Sequence, residues 1–213
     1  MIRTLVQRIA SFYTYRWEKS TPGIRTRPYD SYEDYVSHQA SKLNAKGHRA
    51  EHYDAQLVQE LSVRVQDLVL ASARVLCLGA RLGGEVRVFR DLGAFAWGID
   101  LNPGPDNAYV SFGDFQNVQL PDGSCDVVFT NSLNHASDVE RVASEARRLL
   151  RPEGLFVIEL ADFASEPPAA WESTYWESED DVVQLLQQCN FVRIESREFF
   201  KPWKGTHVRL RAM

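Results

Sequence analysis

Cysteine is scarce: the 213 residues contain three, Cys77, Cys125 and Cys189. They show neither a paired framework nor metal-ligand spacing, which argues against a disulfide scaffold and against a cysteine-based metal centre. Cys77 lies in an apolar run and Cys189 on the apolar face of a helical pattern, so both read as small buried hydrophobes in a reducing compartment. No apolar run approaches the roughly 20 residues that span a bilayer. The first residues lack the continuous apolar core of a signal peptide. The expectation is a soluble, cytoplasmic protein. An excess of positive charge is also missing: the net charge is −5, so a large nucleic-acid footprint is not expected. There are no internal repeats and no low-complexity tracts. What is present, 44% hydrophobic residues, suffices for one full core and is short for two.

The charge is unevenly spread. Residues 1–30 carry Arg3, Arg8, Arg16, Lys19, Arg25 and Arg27 against Glu18 and Asp30. Such a basic arm could meet a phosphate-bearing ligand, a lipid headgroup or an acidic partner, or remain a solvated terminal segment. Ile2, Leu5, Val6 and Ile9 recur at helical spacing with Arg3, Gln7 and Arg8 opposite. That stripe fits a membrane-surface helix or a helix docked on its own domain or a partner. Pro22, Gly23 and Pro28 make Thr21 to Pro28 read as a linker, which separates an arm at 1–30 from a domain at 31–213.

Within that domain the period changes twice. Ser31 and Asp34 form a capping-box pattern before the stripe Tyr32, Tyr35, Val36, Ala40 and Leu43, which Gly47 can end. A second helix places Tyr53, Leu57, Leu61, Val65 and Leu68 on one face. These helices make an N-terminal cap at 31–70. Val75-Leu76-Cys77-Leu78 is then a short continuous apolar run, the signature of a strand buried on both faces of a parallel sheet. A helix from about Gly84 to Leu92 follows, with Gly93 suited to its stop. Further strands are expected at Phe95 to Ile99, Tyr109 to Phe112, Asp126 to Thr130 and Leu155 to Leu160. Ser137 and Glu140 form a capping-box pattern for a helix through Leu150, closed by Pro152 and Gly154. The segment 161–213 holds a long connection with Phe163, Pro167-Pro168, Trp171, Tyr175 and Trp176. A helix from about Ser178 to Cys189 follows, then two strands, Phe191 to Phe199 and His207 to Ala212, most simply an antiparallel hairpin. The fold class is α/β: a Rossmann-like, mostly parallel seven-stranded sheet with a terminal antiparallel hairpin and an N-terminal helical cap.

Ligands of open α/β sheets bind beyond the carboxyl ends of the strands. Here that rule selects Gly79 to Gly84, Asp100, Asp114 and Asn131 to His135. A strand, a glycine-containing loop, a helix and an acid about 20 residues on is the mononucleotide-binding arrangement, in which glycines admit the ligand to the backbone and the acid accepts ribose hydroxyls. Asp100 has the type and position for that role; otherwise it is a solvated turn acid before Asn102-Pro103-Gly104.

Five segments in order resemble the class I S-adenosylmethionine-dependent methyltransferases, of the methyltransferase type 11 kind. Val75-Leu76-Cys77-Leu78-Gly79-Ala80-Arg81-Leu82-Gly83 resembles their first motif, Gly98-Ile99-Asp100-Leu101-Asn102 the second-strand motif, and Gly113-Asp114-Phe115 the acidic turn that faces the adenine. The run from Leu120 through Asp126 to Asn131 resembles the fourth-strand motif, and Leu150-Arg151-Pro152-Glu153-Gly154-Leu155 the loop entering the fifth strand. The resemblance implies a cofactor-binding core at 73–160 that takes S-adenosyl-L-methionine. It implies contacts from Gly79, Ala80, Arg81, Gly83, Asp100, Leu101, Asp114, Phe115 and Asn131. Two departures stand out. Cys77 replaces the motif's leading acid and Arg81 its middle glycine. Arg81 either pairs with the cofactor's methionine carboxylate or marks a loop that has lost the cofactor. In addition, only about eight residues separate Asp100 from the third strand, whereas parallel crossovers need about a dozen or more. The family's helix cannot fit there, and a Pro-rich loop, Asn102 to Pro105, would replace it.

Methyl transfer from a sulfonium is a displacement in which the enzyme mainly positions the acceptor and excludes water. A base is needed only if the acceptor must lose a proton, and His135, four residues after Asn131, is the candidate. Its alternative is an ordinary polar loop residue. Asn131 and Asn134 could orient cofactor or acceptor. His38, Gln39 and Lys42 of the cap and the aromatics of the 161–176 connection are candidate acceptor contacts, the latter as a lid or as packing groups. The resemblance suggests a small-molecule acceptor, such as a hydroxyl of a sugar or glycan precursor. Two other readings are kept. A nicotinamide-dependent oxidoreductase would prefer Gly-x-Gly-x-x-Gly to Gly79-Ala80-Arg81-Leu82-Gly83-Gly84. A non-catalytic binding module on the same fold would tolerate the altered loop.

Overall fold

The computed structural model describes residues 16–46, 48–104 and 106–213, and for those of them between 42 and 50 the backbone alone. The stripe Ile2, Leu5, Val6 and Ile9 and the basic residues Arg3 and Arg8 lie outside the described residues, as do Gly47, Pro105 and the side chain of Lys42. Among the described residues no helix is long and apolar enough to cross a membrane.

In chain order the elements are β1 (Glu18–Thr21), β2 (Ile24–Thr26), α1 (Tyr32–Lys46), α2 (His48–Val65), β3 (Arg74–Leu78), α3 (Gly84–Asp91), β4 (Phe95–Asp100), β5 (Val110–Phe112), β6 (Cys125–Thr130), a 3-10 turn (Leu133–His135), α4 (Val139–Leu149), β7 (Leu150–Ala161), β8 (Thr174–Trp176), α5 (Glu179–Gln188), β9 (Phe191–Phe199) and β10 (Gly205–Ala212). The main sheet has seven strands in the order β5-β4-β3-β6-β7-β10-β9. β5, β4, β3, β6 and β7 run parallel, and β10 is antiparallel to both β7 and β9. The mostly parallel sheet with a closing hairpin is as expected. Its central strand shows why a continuous apolar run reads as doubly buried: Leu76 and Leu78 enter the core cluster that α4 and α5 cover, while Val75 and Cys77 enter the opposite one, under α2 and α3. Alternate residues of one strand feed opposite faces.

The stretch Thr21 to Pro28, expected to be a linker, is instead part of a second, three-stranded antiparallel sheet, β1-β2-β8. Pro22 and Gly23 make the tight turn between β1 and β2, with Gly23 at φ 76°, the positive value that this position of a Pro-Gly turn requires. A Cβ there would fall on the Asp181 carboxylate. The same dipeptide punctuates linkers and hairpins alike, and strands of three and four residues carry no measurable period.

Two boundaries also differ. Asp138, not Ser137, caps α4: its Oδ1 accepts from Arg141 N at 2.9 Å, while Ser137 Oγ donates to Gln116 Oε1 at 3.0 Å. Asp138→Ala is therefore expected to cost about 1 kcal/mol, the usual worth of an N-cap, read as a lowered urea midpoint with an unchanged slope. Pro152 and Gly154 do not close that helix in a loop. β7 starts at Leu150, and its register against β6 jumps from Cys125↔Leu150 to Val127↔Leu155. The extra residues form a bulge with Glu153 at φ 62°, which a proline, lacking an N–H, tolerates well.

Among the described residues between Asp100 and Val110 there is no helix, and β5 is a three-residue edge strand with Phe112 exposed. The shortened crossover thus keeps its strand at minimal length. On the other side of the sheet, a buried ion-pair cluster anchors the C-terminal end of α2. Glu159 of β7, 2% exposed, accepts from Arg64 Nε at 2.6 Å and Nη2 at 3.1 Å, and lies 3.1 Å from His207 Nδ1. This fixes α2 so that Tyr53, Asp54 and Leu57 overhang the carboxyl ends of the strands.

Candidate functional site

Those strand ends open into a cavity of ≈ 590 Å³, within the usual range for small-molecule sites. Gly79, Ala80, Arg81, Asp100, Leu101, Phe115, Asn131 and His135 all line it. Of the anticipated residues, Gly83 and Asp114 do not. Gly83 lies behind the rim as the N-terminal cap of α3, at φ 78°. Asp114 accepts from Tyr32 Oη at 2.9 Å and from Gln116 N at 2.8 Å, so its carboxylate holds the helical cap to the turn after β5. The neighbouring carboxylate also helps push the Tyr32 phenol up to about 12, after burial, the larger cause.

The β3–α3 loop is folded around Asp100. Gly79 N and Ala80 N donate to Ile99 O at 2.9 and 3.1 Å. Arg81 N donates to Asp100 Oδ2 at 2.9 Å, and Asn102 N to Oδ1 at 2.7 Å. Arg81 sits at φ 36°, the left-handed region where glycine is at ease and other residues are strained. Its carbonyl takes Gly104 N at 3.1 Å and Asn107 Nδ2 at 3.0 Å. These bonds over-determine the conformation, so a side chain persists where a glycine would be the easy choice. At Gly79, φ 71°, a Cβ would stand 2.6 Å from Ser132 Cβ, so the backbone itself forms this part of the wall. An ionised carboxylate has about four lone-pair sites. The two amides use one on each Asp100 oxygen, so the carboxylate sets the path of the loop whose residues line the cavity.

Deeper in, Glu85 of α3 lines the cavity and is 5% exposed. Its Oε1 accepts from Asn131 Nδ2 at 3.0 Å, and Asn131 Oδ1 accepts in turn from Ser132 Oγ at 3.1 Å. Burial above all pushes the Glu85 carboxyl up to about 7. Sequence reading missed this residue, because a glutamate in the first turn of a helix is what the helix dipole favours anyway. The available signal was the acid absent from position 77.

The opposite wall belongs to the helical cap and to the connection 162–173. His135 Nδ1 lies 3.1 Å from the Trp171 carbonyl. A carbonyl only accepts, so Nδ1 carries the proton and Nε2 is the basic nitrogen of the neutral ring. Tyr35 Oη donates to His135 O at 3.1 Å. His38 Nε2 donates to Ala170 O at 2.7 Å, and Gln39 Nε2 to Ser173 Oγ at 2.8 Å. The connection is thus laced to α1 and to the 3-10 turn as a wall over the cavity. Its aromatics divide: Tyr175 and Trp176 are buried and serve packing, Trp171 stacks on His38 at 6.2 Å between ring centres, and Phe163 lines the cavity while packing on Trp176. Lys204, paired with Asp162 at 2.5 Å, and Trp203 complete the rim; neither was anticipated. Among the described residues no group of three or more His, Cys, Asp or Glu is placed to hold a metal ion.

A glycine-walled loop, a carboxylate on the rim and a buried glutamate fit a ligand with a ribose and a charged amino-acid end. The comparisons with known proteins agree. Residues 76–158 match the family model described as a methyltransferase domain. A sterol 24-C-methyltransferase of Gibberella zeae is 27% identical over 160 residues, 68% of this chain. The chain spans 37% of that relative's length. Among solved structures, the 1,6-didemethyltoxoflavin-N1-methyltransferase of Burkholderia thailandensis, with bound 1,6-didemethyltoxoflavin and S-adenosylhomocysteine, has a TM-score of 0.69 at 18% identity, covering 92% of this chain and 99% of that one. An S-adenosylmethionine-dependent methyltransferase from Mesorhizobium loti has a TM-score of 0.58 at 16% identity, covering 72% and 97%. With the first motif, the strand order and the matched segment in agreement, residues 76–158 carry a methyltransferase domain and the chain has the fold of S-adenosylmethionine-dependent methyltransferases.

Proposed function

We propose that the chain transfers a methyl group from S-adenosyl-L-methionine to a hydroxyl of a small molecule, with His135 as the base. The observation that carries the cofactor half is Asp100: a carboxylate at the end of β4 that organises the loop after β3 and lines the same cavity. In this reading Asp100 accepts the ribose hydroxyls, Gly79 and Ala80 present backbone to the nucleoside, and Leu101 and Phe115 flank the adenine. Arg81 pairs with the methionine carboxylate, its guanidinium lying 5.8 Å from the Tyr53 ring centre. Gly83 acts indirectly, by starting α3, and Asp114 by holding Tyr32. S-adenosylmethionine supplies a sulfonium-bound methyl and a neutral thioether leaving group.

The acceptor half rests on the far wall. Asn134 and His135 stand after β6, under the connection 162–173, and the bond to Trp171 orients the imidazole so that Nε2 takes the acceptor's proton. A wall tied down at both ends excludes water and restricts the acceptor's approach, the main work this chemistry needs. The three free cysteines support a reducing, cytoplasmic setting. The Burkholderia protein is named for a nitrogen acceptor, and a nitrogen with a lone pair needs no base. The test is transfer of isotope-labelled methyl from S-adenosylmethionine to a panel of hydroxyl- and amine-bearing small molecules. Labelling of hydroxyl compounds, lost in His135→Asn, supports the proposal. Labelling of amines alone, or cofactor binding without turnover across the panel, contradicts it.

A further inference from the structure

We propose that Glu85 is the counter-ion for the α-ammonium of the cofactor's methionine part. This deepens the methyltransfer reading and rests on it. Among the described residues Glu85 Oε2 is one of three buried side-chain polar atoms with no hydrogen-bond partner, and of those three residues Glu85 alone lines the cavity. A buried acceptor left without a donor is unfavourable, and its natural complement is a ligand that brings one. The other oxygen is held by Asn131, which aims the carboxylate at a fixed point.

The surroundings show why this acid and not another. Cys77 is fully buried, and the Glu85 charge helps raise its thiol, after burial, the larger cause. The two side chains are thus close enough for one to feel the other's charge. An acid at 77 would put two carboxylates there, and like charges at close range cannot both ionise. With cysteine at 77 and glutamate on α3, one negative charge remains in this neighbourhood. Asp54, whose charge also pushes the Glu85 carboxyl up, accepts from Gly84 N at 3.1 Å and pairs with Arg87, so its oxygens are engaged. Arg81 is close enough to draw the Glu85 carboxyl downward. A cation and an anion set side by side in a glycine-walled cavity are complementary to the carboxylate and ammonium of an amino acid.

The groups that face Glu85 are Tyr53 and Asp54 from α2, Arg81 from the loop, Cys77 from β3 and Asn131 after β6. With burial holding the free carboxyl near 7, it is partly protonated at neutral pH, and an ammonium favours the ionised form. Cofactor binding should therefore release a proton, and affinity should rise with pH until the free carboxyl is ionised.

The test is calorimetric titration of the full chain with S-adenosylhomocysteine and with its analogue lacking the amino group. Wild type is expected to prefer the amino compound by about 10- to 100-fold, the worth of one charge-assisted bond. It is also expected to release a proton, seen as a binding heat that depends on the buffer's ionisation heat. Glu85→Gln should bind both compounds alike, with no such dependence. If wild type binds the two compounds within twofold, the assignment is wrong, whatever the variant does. If the variant keeps wild-type affinity for the amino compound, it is wrong as well. No binding of S-adenosylhomocysteine by wild type overturns the methyltransfer reading and this assignment together; tight binding that Glu85→Gln retains overturns the assignment alone.

Discussion

Asp100→Ala should lower the affinity for S-adenosylhomocysteine by about 100-fold or more. In the proposed binding mode two charge-assisted hydrogen bonds to ribose hydroxyls, at roughly 1.5–3 kcal/mol each, disappear together, and each 1.4 kcal/mol is about tenfold. The substitution also removes the acceptor for Arg81 N and Asn102 N, so the loop loses the bonds that hold Arg81 at its positive φ. Asp100→Asn keeps the shape and one acceptor oxygen, and should fall between the alanine variant and wild type. Asp114→Asn is the control. The resemblance alone would give it a similar loss, but its carboxylate faces Tyr32 and Gln116 and does not line the cavity. Its effect on affinity should stay below about 1 kcal/mol, or roughly fivefold. Titration calorimetry on the three variants separates a ribose contact from a loop acid. Equal losses at 100 and 114 would contradict the assignment.

His135→Ala should reduce the turnover of a hydroxyl acceptor by about 10²- to 10⁴-fold, the usual contribution of a positioned base, while leaving S-adenosylhomocysteine affinity unchanged. Alanine also cuts the tether to the Trp171 carbonyl, so the acceptor's KM should rise. His135→Asn distinguishes the two roles. The asparagine amide can still donate to that carbonyl but cannot take a proton at neutral pH. A base predicts that kcat falls alike in both variants and that KM rises only in the alanine variant. If His135 merely tethers the wall, the asparagine variant retains its kcat.

The sheet was legible because each of its buried strands announces itself. Val75 to Leu78 has no polar residue to place on an outer face, and the strand ends Gly79, Asp100 and Asn131 follow directly from those runs. The rim of the cavity was therefore readable from sequence, whereas its walls were not. Tyr35, Tyr53 and the pair Trp203-Lys204 come from three segments, α1, α2 and the β9–β10 connection, that converge only in three dimensions, and nothing local marks them. Glu85 was hidden by a rival explanation, since its position in a helix's first turn already accounts for an acid. The second sheet was hidden by brevity. Glu18–Thr21 pairs only with Ile24–Thr26, which in turn pairs with β8, about 150 residues away, and Pro22-Gly23 serves a linker as readily as a turn. At Asp114 the motif was found but its partner was not, because Tyr32 reaches it from a helix that the motif does not include.

The most direct measurement is the position of S-adenosylhomocysteine in a crystal of the full chain. The ribose is expected within hydrogen-bond distance of both Asp100 oxygens, and the amino-acid end between Arg81 and Glu85. A nucleoside bound elsewhere, or a ribose turned away from Asp100, would contradict this placement.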